Sequence, residues 1–220
     1  MNKNNDLLKR ILMYVCGLII LSCGVSFSII ADLGVSPVSS LAYAFALVTS
    51  LSVGMMTIIV NVGYIIIQVI LIKRFNLRNA LIQLLITLLF GVSIDATLFL
   101  LQFLPEPGNI MTKLIYLVIS LLVIAFGLLL YIKAQFSLMP YDELTYAISQ
   151  RFKILFGKAK ITSDLLNVSL AALISLTFIH TFGSIGIGTV IAAYFIGKIL
   201  GTFISIYDKL FPSKHISFEN

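Results

Sequence analysis

The chain has 220 residues, of which 60% are hydrophobic and 11% charged, and its mean hydropathy is +1.08. Soluble domains are about 45–50% apolar and about 25% charged, so a water-soluble protein is excluded. The net charge of +6 comes from Lys and Arg in short segments between apolar stretches, which is typical of membrane topology and not of nucleic-acid binding. We therefore expect one membrane domain over residues 1–220, with the lipid bilayer as its partner and no nucleic-acid partner.

Six apolar stretches have the length of about 20 residues that a helix needs to cross the hydrocarbon of a bilayer. They are residues 11–30, 53–72, 79–103, 112–132, 161–178 and 186–207. Two further apolar segments, residues 37–49 and 140–151, are too short, since helices of this length extend only about 18–20 Å. Each begins with a proline, Pro37 or Pro140, at a position where the first helical turn tolerates one. The sequence predicts an all-α, polytopic membrane bundle of about six transmembrane helices and two short helices.

Positive charge predicts the orientation of these spans. With the N-terminus in the cytoplasm and six spans, most Lys and Arg residues fall on the cytoplasmic side, as the positive-inside rule requires. They are Lys73, Arg74, Arg78, Lys133, Arg151, Lys153, Lys158, Lys160, Lys209 and Lys214. The opposite side carries Asp32, Glu106 and His180, with Lys113 at the edge of a span. Both termini are therefore expected to be cytoplasmic.

The two short segments are expected to enter and leave the membrane on the same side, as re-entrant helices. Eight full spans would move the positive cluster at residues 73–78 to the outside, against the positive-inside rule. An amphipathic helix lying flat at the membrane interface is the alternative for each segment. It is stronger for residues 140–151, which contain Asp142, Glu143 and Arg151, than for the uncharged residues 37–49.

An internal repeat relates residues 11–103 to residues 112–207. An offset of 103 residues aligns Pro37 with Pro140, Gly24 with Gly127, Leu41 with Leu144, Tyr43 with Tyr146, Ala44 with Ala147, Gly54 with Gly157 and Ile58 with Ile161. After a three-residue gap, Gly91 also matches Gly197. Each half has three spans and one short helix, so the second half begins on the opposite side of the membrane and the repeat is inverted. In many transporters of this plan, discontinuous helices meet near the bilayer midplane and bind the solute there.

Three short motifs carry a resemblance to a known family. They are Leu33-Gly34-Val35-Ser36-Pro37, then Pro140-Tyr141-Asp142-Glu143-Leu144 with Ser149, and Gly186-Ile187-Gly188-Thr189 with Gly197. In these motifs, and over nearly its whole length, the chain resembles the YczE/YyaS/YitT family of bacterial integral membrane proteins. The resemblance implies a location in the bacterial cytoplasmic membrane and a shared fold.

The starts of the two short helices are the first candidate for a solute site. A helix start offers free backbone N–H groups and a partial positive charge, for which lipid supplies no partner. The candidate residues are Ser36, Pro37, Ser39 and Ser40 at the first start, and Pro140, Asp142 and Glu143 at the second. A carboxylate would bind a cation or a proton, whereas hydroxyl and N–H groups would bind an anion. The alternative is that these acidic residues only favour the helix dipole.

Asp95 and Lys198 are the second candidate, because ionisable groups within spans are costly and often functional. They lie at comparable depths in the third spans of the two halves, so a long Lys stem could reach the carboxylate. Such a pair would either only offset its own desolvation or take part in moving a solute or a proton. Asn61 and Asp164 match at the offset of 103 near the starts of two spans.

No motif in the sequence indicates a metal site, a cofactor or an enzyme. His, Cys and carboxylate residues show no metal-ligand spacing, and no nucleophile is paired with a base. The glycines from Gly183 to Gly188 lack the lysine of a phosphate loop, so close helix packing is expected there, as at Gly17 and Gly24. We expect transport or permeation of a small polar or charged solute at the interface of the halves. The alternative is a non-transporting membrane scaffold or accessory subunit, and either is compatible with a homo-oligomer.

Overall fold

A computed structural model describes residues 3–72 and 76–211, with side chains from residue 7 onward. Within these ranges the chain forms eight α-helices. They are α1 (Lys3–Ile30), α2 (Pro37–Val48), α3 (Val53–Ile72), α4 (Leu77–Leu101), α5 (Ile110–Lys133), α6 (Pro140–Phe152), α7 (Phe156–Phe178) and α8 (Ile187–Leu210). Lys73, Arg74 and Lys214, which contributed to the predicted orientation, lie outside the described residues.

Six of these helices are long and apolar enough to cross a membrane, which confirms the prediction of a multi-pass membrane protein. They are α1, α3, α4, α5, α7 and α8. Four helices begin before the apolar stretches do, α4 and α5 by only two residues and α1, at Lys3, and α7, at Phe156, by five or more. The added residues are mostly polar or basic ones that a helix accepts at little cost but hydrocarbon does not. Hydropathy therefore locates the membrane-embedded part of each helix and not its end.

The turns that lead into the two short helices have similar backbone angles at two pairs of positions, although Gly34 has a φ of 97° and Ser137, 103 residues later, has no positive φ. After α1 and α5 the chain turns through residues with positive φ, 52° at Asp32 and 48° at Gln135. Ser36 and Met139, the residues before the prolines, are both extended, with φ of −61° and −66° and ψ of 152° in each case. This conformation is the one that a following proline favours. Both pairs of residues are separated by 103 positions, the offset found in the sequence.

Helices α1 and α5 form the central pair of the bundle, and glycines let them approach closely. A Cβ atom on Gly24 would lie 2.7 Å from the backbone nitrogen of Ile124, and one on Gly127 would lie 2.6 Å from that of Leu21. A Cβ atom on Gly17 would meet the backbone of Tyr131 at 2.8 Å. The expected packing role of Gly17 and Gly24 is confirmed.

The other helices surround this pair in matched contacts. Helix α4 packs on α1 and α8 on α5, while α2 packs on α7 and α3, and α6 packs on α3 and α7. The start of α8 packs tightly on the turn after α1, since the Gly188 N–H donates to Leu33 O and a Cβ on Gly186 would lie 2.3 Å from that oxygen. The largest unmatched contact is that of α3 with α4, since α7 and α8 do not pack along each other.

Candidate functional site

The start of α6 is built around Asp142, whose carboxylate has polar neighbours from two other helices. The Tyr131 hydroxyl of α5 accepts a 2.7 Å hydrogen bond from the Met139 N–H and lies 3.4 Å from Asp142 Oδ2. Lys160 of α7 places its Nζ 3.7 Å from Asp142 Oδ1. The Asp142 side chain is 23% exposed, so these groups replace much of its water. The phenol thus acts on both the backbone and the carboxylate of this helix start.

A second carboxylate completes a small charged cluster. Asp164 of α7 lies 3.1 Å from Lys160 Nζ and accepts a 2.5 Å hydrogen bond from the Tyr141 hydroxyl. Lys160 Nζ also lies 4.2 Å from the centre of the Tyr141 ring, within cation–π distance. We call Asp142, Lys160, Asp164 and Tyr141 the α6 cluster. Two carboxylates and one ammonium group give it a formal charge of −1.

The start of α2 is uncharged and is stabilised by hydroxyl groups and backbone carbonyls. The Ser36 hydroxyl lies 3.2 Å from that of Ser39, and the Ser40 hydroxyl donates to Pro37 O at 2.8 Å. Ser36 and Ser40 are buried, whereas Ser39 is partly exposed. No side chain caps the first turn of α2 or of α6. Both starts therefore retain backbone donors for another partner.

A buried hydrogen-bond relay joins α2 to the centre of the bundle. The Asn167 amide of α7 donates to Pro37 O at 2.8 Å and to Val38 O at 3.2 Å. Its oxygen accepts a 2.5 Å hydrogen bond from the Tyr64 hydroxyl of α3. The Tyr64 ring lies 5.4 Å from the Tyr141 ring, centre to centre, in an edge-to-face arrangement. Tyr64 and Asn167 are 103 residues apart, so two positions that the predicted repeat would make equivalent touch each other.

A cavity of about 30 Å³ lies where the two short helices begin. Val38 and Ser39 of α2 line one side, and Met139, Tyr141 and Asp142 of α6 line the other. Residues of α3, including Asn61 and Tyr64, and Phe90 of α4 complete the wall. We call this space the central cavity. Its volume is large enough for a water molecule or a small ion, and a larger solute would require the surrounding side chains to move.

The predicted residues at the short helices thus divide between two places. Ser39 and Asp142 line the central cavity. Four further predicted residues are buried in the same helix starts but are not part of its lining: Ser36, Pro37, Ser40 and Pro140. Glu143 lies outside the central cavity and lines a second one, between α6, the end of α3 and the start of α4. Asn61 lines the central cavity, while its match, Asp164, belongs to the α6 cluster.

The expected pairing of Asp95 with Lys198 is wrong. Asp95 accepts hydrogen bonds from the Ser52 hydroxyl at 2.6 Å and the Gly54 N–H at 2.7 Å, so it caps the start of α3. Lys198 is exposed on α8 and binds the Tyr194 hydroxyl one turn earlier, at 2.5 Å. Similar depth in the membrane did not place the two groups on facing helix surfaces, because depth does not determine the direction in which a side chain points.

Residue spacing in the sequence did not identify several residues of the site, most of which lie on long helices. Tyr64, Tyr131, Tyr141, Lys160 and Asn167 each look like ordinary aromatic, loop or helix residues in the sequence. The offset of 103 that pairs Tyr64 with Asn167 was a usable signal for two of them. Among the described residues, no group of three or more His, Cys, Asp or Glu side chains is placed to hold a metal ion.

Comparison with known proteins places the chain in a family. Residues 8–205 match the family described as "Family of unknown function (DUF6198)". The chain belongs to this family. It is 30% identical over 208 residues to the uncharacterized protein YyaS of Bacillus subtilis (strain 168), covering 94% of this chain and 98% of YyaS. The expected resemblance to YyaS-like membrane proteins is confirmed.

A second bacterial relative covers a similar extent. An uncharacterized protein of Haemophilus influenzae (strain ATCC 51907 / DSM 11121 / KW20 / Rd) is 25% identical over 211 residues, with 96% of this chain and 89% of the relative aligned. No solved structure matches the chain significantly. Because both relatives align along nearly their whole length, the eight-helix arrangement is expected to be common to them.

Proposed function

We propose that this protein transports a small polar or charged solute through the central cavity, at the interface of two inverted halves. The observation that carries the proposal is that the first turns of α2 and α6 line the same cavity, between helices from both halves. Neither first turn is capped by a side chain, so each has backbone N–H groups available to a ligand. Ionisable groups within a membrane are energetically costly, and they often mark the path of a solute or an ion.

The matched geometry of the halves supports an inverted repeat. Ser36 and Met139, the residues before the two prolines, have nearly the same φ and ψ values, and the packing of α2 on α7 corresponds to that of α6 on α3. Gly24 and Gly127, equivalent in sequence, both lie at the α1–α5 contact. These features are what a pseudo-two-fold axis through the α1–α5 pair would produce. With an odd number of spans in each half, that axis lies in the membrane plane.

The packing of α2 and α6 supports re-entrant helices over helices lying flat at the interface. Helix α2 has 12 residues and α6 has 13, lengths of about 18–20 Å, so neither crosses the bilayer. Both pack against α3 and α7, and their prolines are buried. A flat interfacial helix would keep one side in contact with headgroups along its whole length. In the proposed orientation, α2 enters from outside and α6 from the cytoplasm, with both termini cytoplasmic.

The α6 cluster is the candidate for the group of side chains whose ion pairs change when a solute binds. Asp142 lines the central cavity directly, while Lys160, Asp164 and Tyr131 hold it in place. A solute or proton that competes with Lys160 for Asp142 would leave the ammonium group paired with Asp164. The cluster can therefore release one carboxylate without leaving an unpaired buried charge, which would be expensive.

A specific feature of α8 favours the accessory-subunit alternative. Gly197 and Gly201 are four residues apart, and no atom lies within 4 Å of where a Cβ would be on either. Pairs of small residues at this spacing are typical of contacts between membrane helices. Lys198 lies between them on an exposed part of α8 near the middle of the span. In this alternative, α8 is the surface that binds another membrane helix.

The transport proposal is tested by flux into proteoliposomes that contain the purified protein. The probes are guanidinium, ethylammonium, acetate, phosphate and urea, each compared with protein-free liposomes. We expect at least one probe to enter faster with protein, and Asp142→Asn to reduce this flux at least tenfold. Ser39→Ala, at the equivalent position in α2, should change it less than threefold, and Glu106→Gln, in an exposed loop, should not change it. Failure of every probe, or full flux in Asp142→Asn, would contradict the proposal.

A further inference from the structure

The second cavity lies between the inner ends of α3 and α4 and the first turn of α6, and its volume is about 160 Å³. Its polar lining consists of Gln68, Asn76, Asn79, Gln83 and Glu143, and apolar side chains of α3 and α4 form the rest. We call it the vestibule. Cavities of about this volume accept ligands of benzene size. Because Glu143 and Asp142 are adjacent residues, one turn of α6 separates the vestibule from the central cavity.

Two amide oxygens in the vestibule wall are buried without a hydrogen-bond partner among the described residues. Gln83 is only 2% exposed and Gln68 9%, and the Oε1 atom of each accepts no hydrogen bond from any described residue. Folded proteins rarely leave buried polar atoms unpaired, so such atoms need an explanation. Rotation of an amide about its last torsion exchanges oxygen and nitrogen, and either Gln can therefore present its oxygen to the cavity. A bound ligand that donates hydrogen bonds would satisfy both.

The charge of the vestibule lining indicates which class of ligand it can bind. Glu143 is the one ionisable residue in the described lining, it is partly buried, and it forms no ion pair with a described Lys or Arg. A carboxylate accepts hydrogen bonds and donates none, and the two Gln carbonyls add further acceptors. A site with two unpartnered amide oxygens and one negative charge is complementary to a cation that carries N–H groups.

We propose that the vestibule binds a small organic cation with N–H donors, of the guanidinium or primary ammonium class. The ligand would place its charge against Glu143 and donate to the carbonyls of Gln68 and Gln83. This inference rests on the proposed function in one respect, since it makes the vestibule the cytoplasmic entrance to the central cavity and an organic cation the transported solute. Binding to the vestibule is nevertheless an equilibrium property that can be measured without transport.

The test is calorimetric titration of the full-length protein in detergent with guanidinium chloride. Tetramethylammonium has the same charge without N–H donors, and sodium acetate tests for an anion site. We expect guanidinium to bind, and both of the other probes to bind at least tenfold more weakly. Glu143→Gln should weaken guanidinium binding about tenfold or more, the usual size of a charge-assisted hydrogen bond. Gln83→Leu should weaken it about threefold or more, and Glu106→Gln should leave it unchanged.

Each outcome separates this inference from the transport proposal. Loss of binding in Glu143→Gln or Gln83→Leu, in protein that still elutes as a folded species on size-exclusion chromatography, supports the vestibule site even if no flux is found. Absence of guanidinium binding, equal binding of tetramethylammonium, or wild-type affinity in both variants would overturn it. Flux of another probe would then leave the transport proposal standing. Asp142→Asn should reduce flux at least tenfold and retain vestibule binding.

Discussion

The two halves of the proposed repeat contain the same order of long and short helices and differ in how their last helices pack. In the first half, Gly54 of α3 and Gly91 of α4 cross so closely that a Cβ on Gly54 would lie 2.1 Å from Gly91 O. The equivalent glycines of the second half, Gly157 and Gly197, have no atom within 4 Å of where a Cβ would be. The same residue type at the same place in the repeat thus makes a tight contact in one half and none in the other.

Asp95 explains this difference. Its carboxylate reaches from α4 to the start of α3, where it accepts hydrogen bonds from Ser52 and from the Gly54 backbone. With the three-residue gap, the position equivalent to Asp95 in the second half is Gly201, which has no side chain to make such a bond. In the first half, a polar side chain therefore links α4 to α3. In the second half, the position that corresponds to it has no side chain to link α8 to α7.

The short helices differ in a complementary way. Helix α2 begins among serine hydroxyls and is joined to α7 through Asn167, while α6 begins in a charged cluster with Lys160 and Asp164. The positions of Ser39 and Asp142 are equivalent in the repeat, and both line the central cavity. The first half thus contributes a neutral hydroxyl group to the central cavity, and the second half contributes a carboxylate.

The largest expected effect comes from enlarging the matched glycines Gly54 and Gly157. In Gly54→Leu the new side chain would collide with the backbone of α4, and we expect destabilisation of more than about 3 kcal/mol and loss of a monodisperse peak on size-exclusion chromatography. Gly157→Leu enters open space and should change stability by less than about 0.5 kcal/mol. Equal tolerance of the two variants would show that the halves do not differ in this contact.

The relay between the halves is tested by two buried asparagines. Asn167→Leu removes the hydrogen bonds to Pro37, Val38 and Tyr64, and should cost about 1–2 kcal/mol, a fall in Tm of about 2–6 °C in detergent. Asn61→Leu has the same change of shape but removes only a bond to Thr57 within its own helix. It should lower Tm by less than about 2 °C. A larger loss in Asn61→Leu would contradict a relay through Asn167.

The smallest expected effect concerns the two ionisable residues that the structure separates. Asp95→Asn weakens the charged cap on α3, so we expect a cost of about 1 kcal/mol and a fall in Tm of about 2–4 °C. Lys198→Met removes an exposed charge that no described carboxylate pairs with, and Tm should stay the same or rise. Equal falls in the Tm of both single variants, with no further fall in the double variant, would indicate that Asp95 and Lys198 do form an ion pair.

The sequence predicted the helices well because membrane spans depend on length and apolar content, which are local properties. It also predicted both short helices, since a proline at a helix start leaves a local signature at Pro37 and Pro140. It did not predict the partners of Asp142, because Tyr131 and Lys160 lie on other helices and reach it only through their rotation and register. The depth of Asp95 and Lys198 was predicted without the direction of either side chain, and the proposed pair failed for that reason.

The central claim, that the halves are inverted and their short helices enter from opposite faces, is tested most directly by topology. Single cysteines are placed at Ser50, Asn76, Asn109, Gly157 and Gly183 in a variant without Cys16 and Cys23, and intact cells are treated with a membrane-impermeant maleimide. We expect positions 50, 109 and 183 to react from outside, and positions 76 and 157 only after permeabilisation. Labelling of Ser50 and Asn76 from the same side, or in the reverse order, would contradict the inverted arrangement.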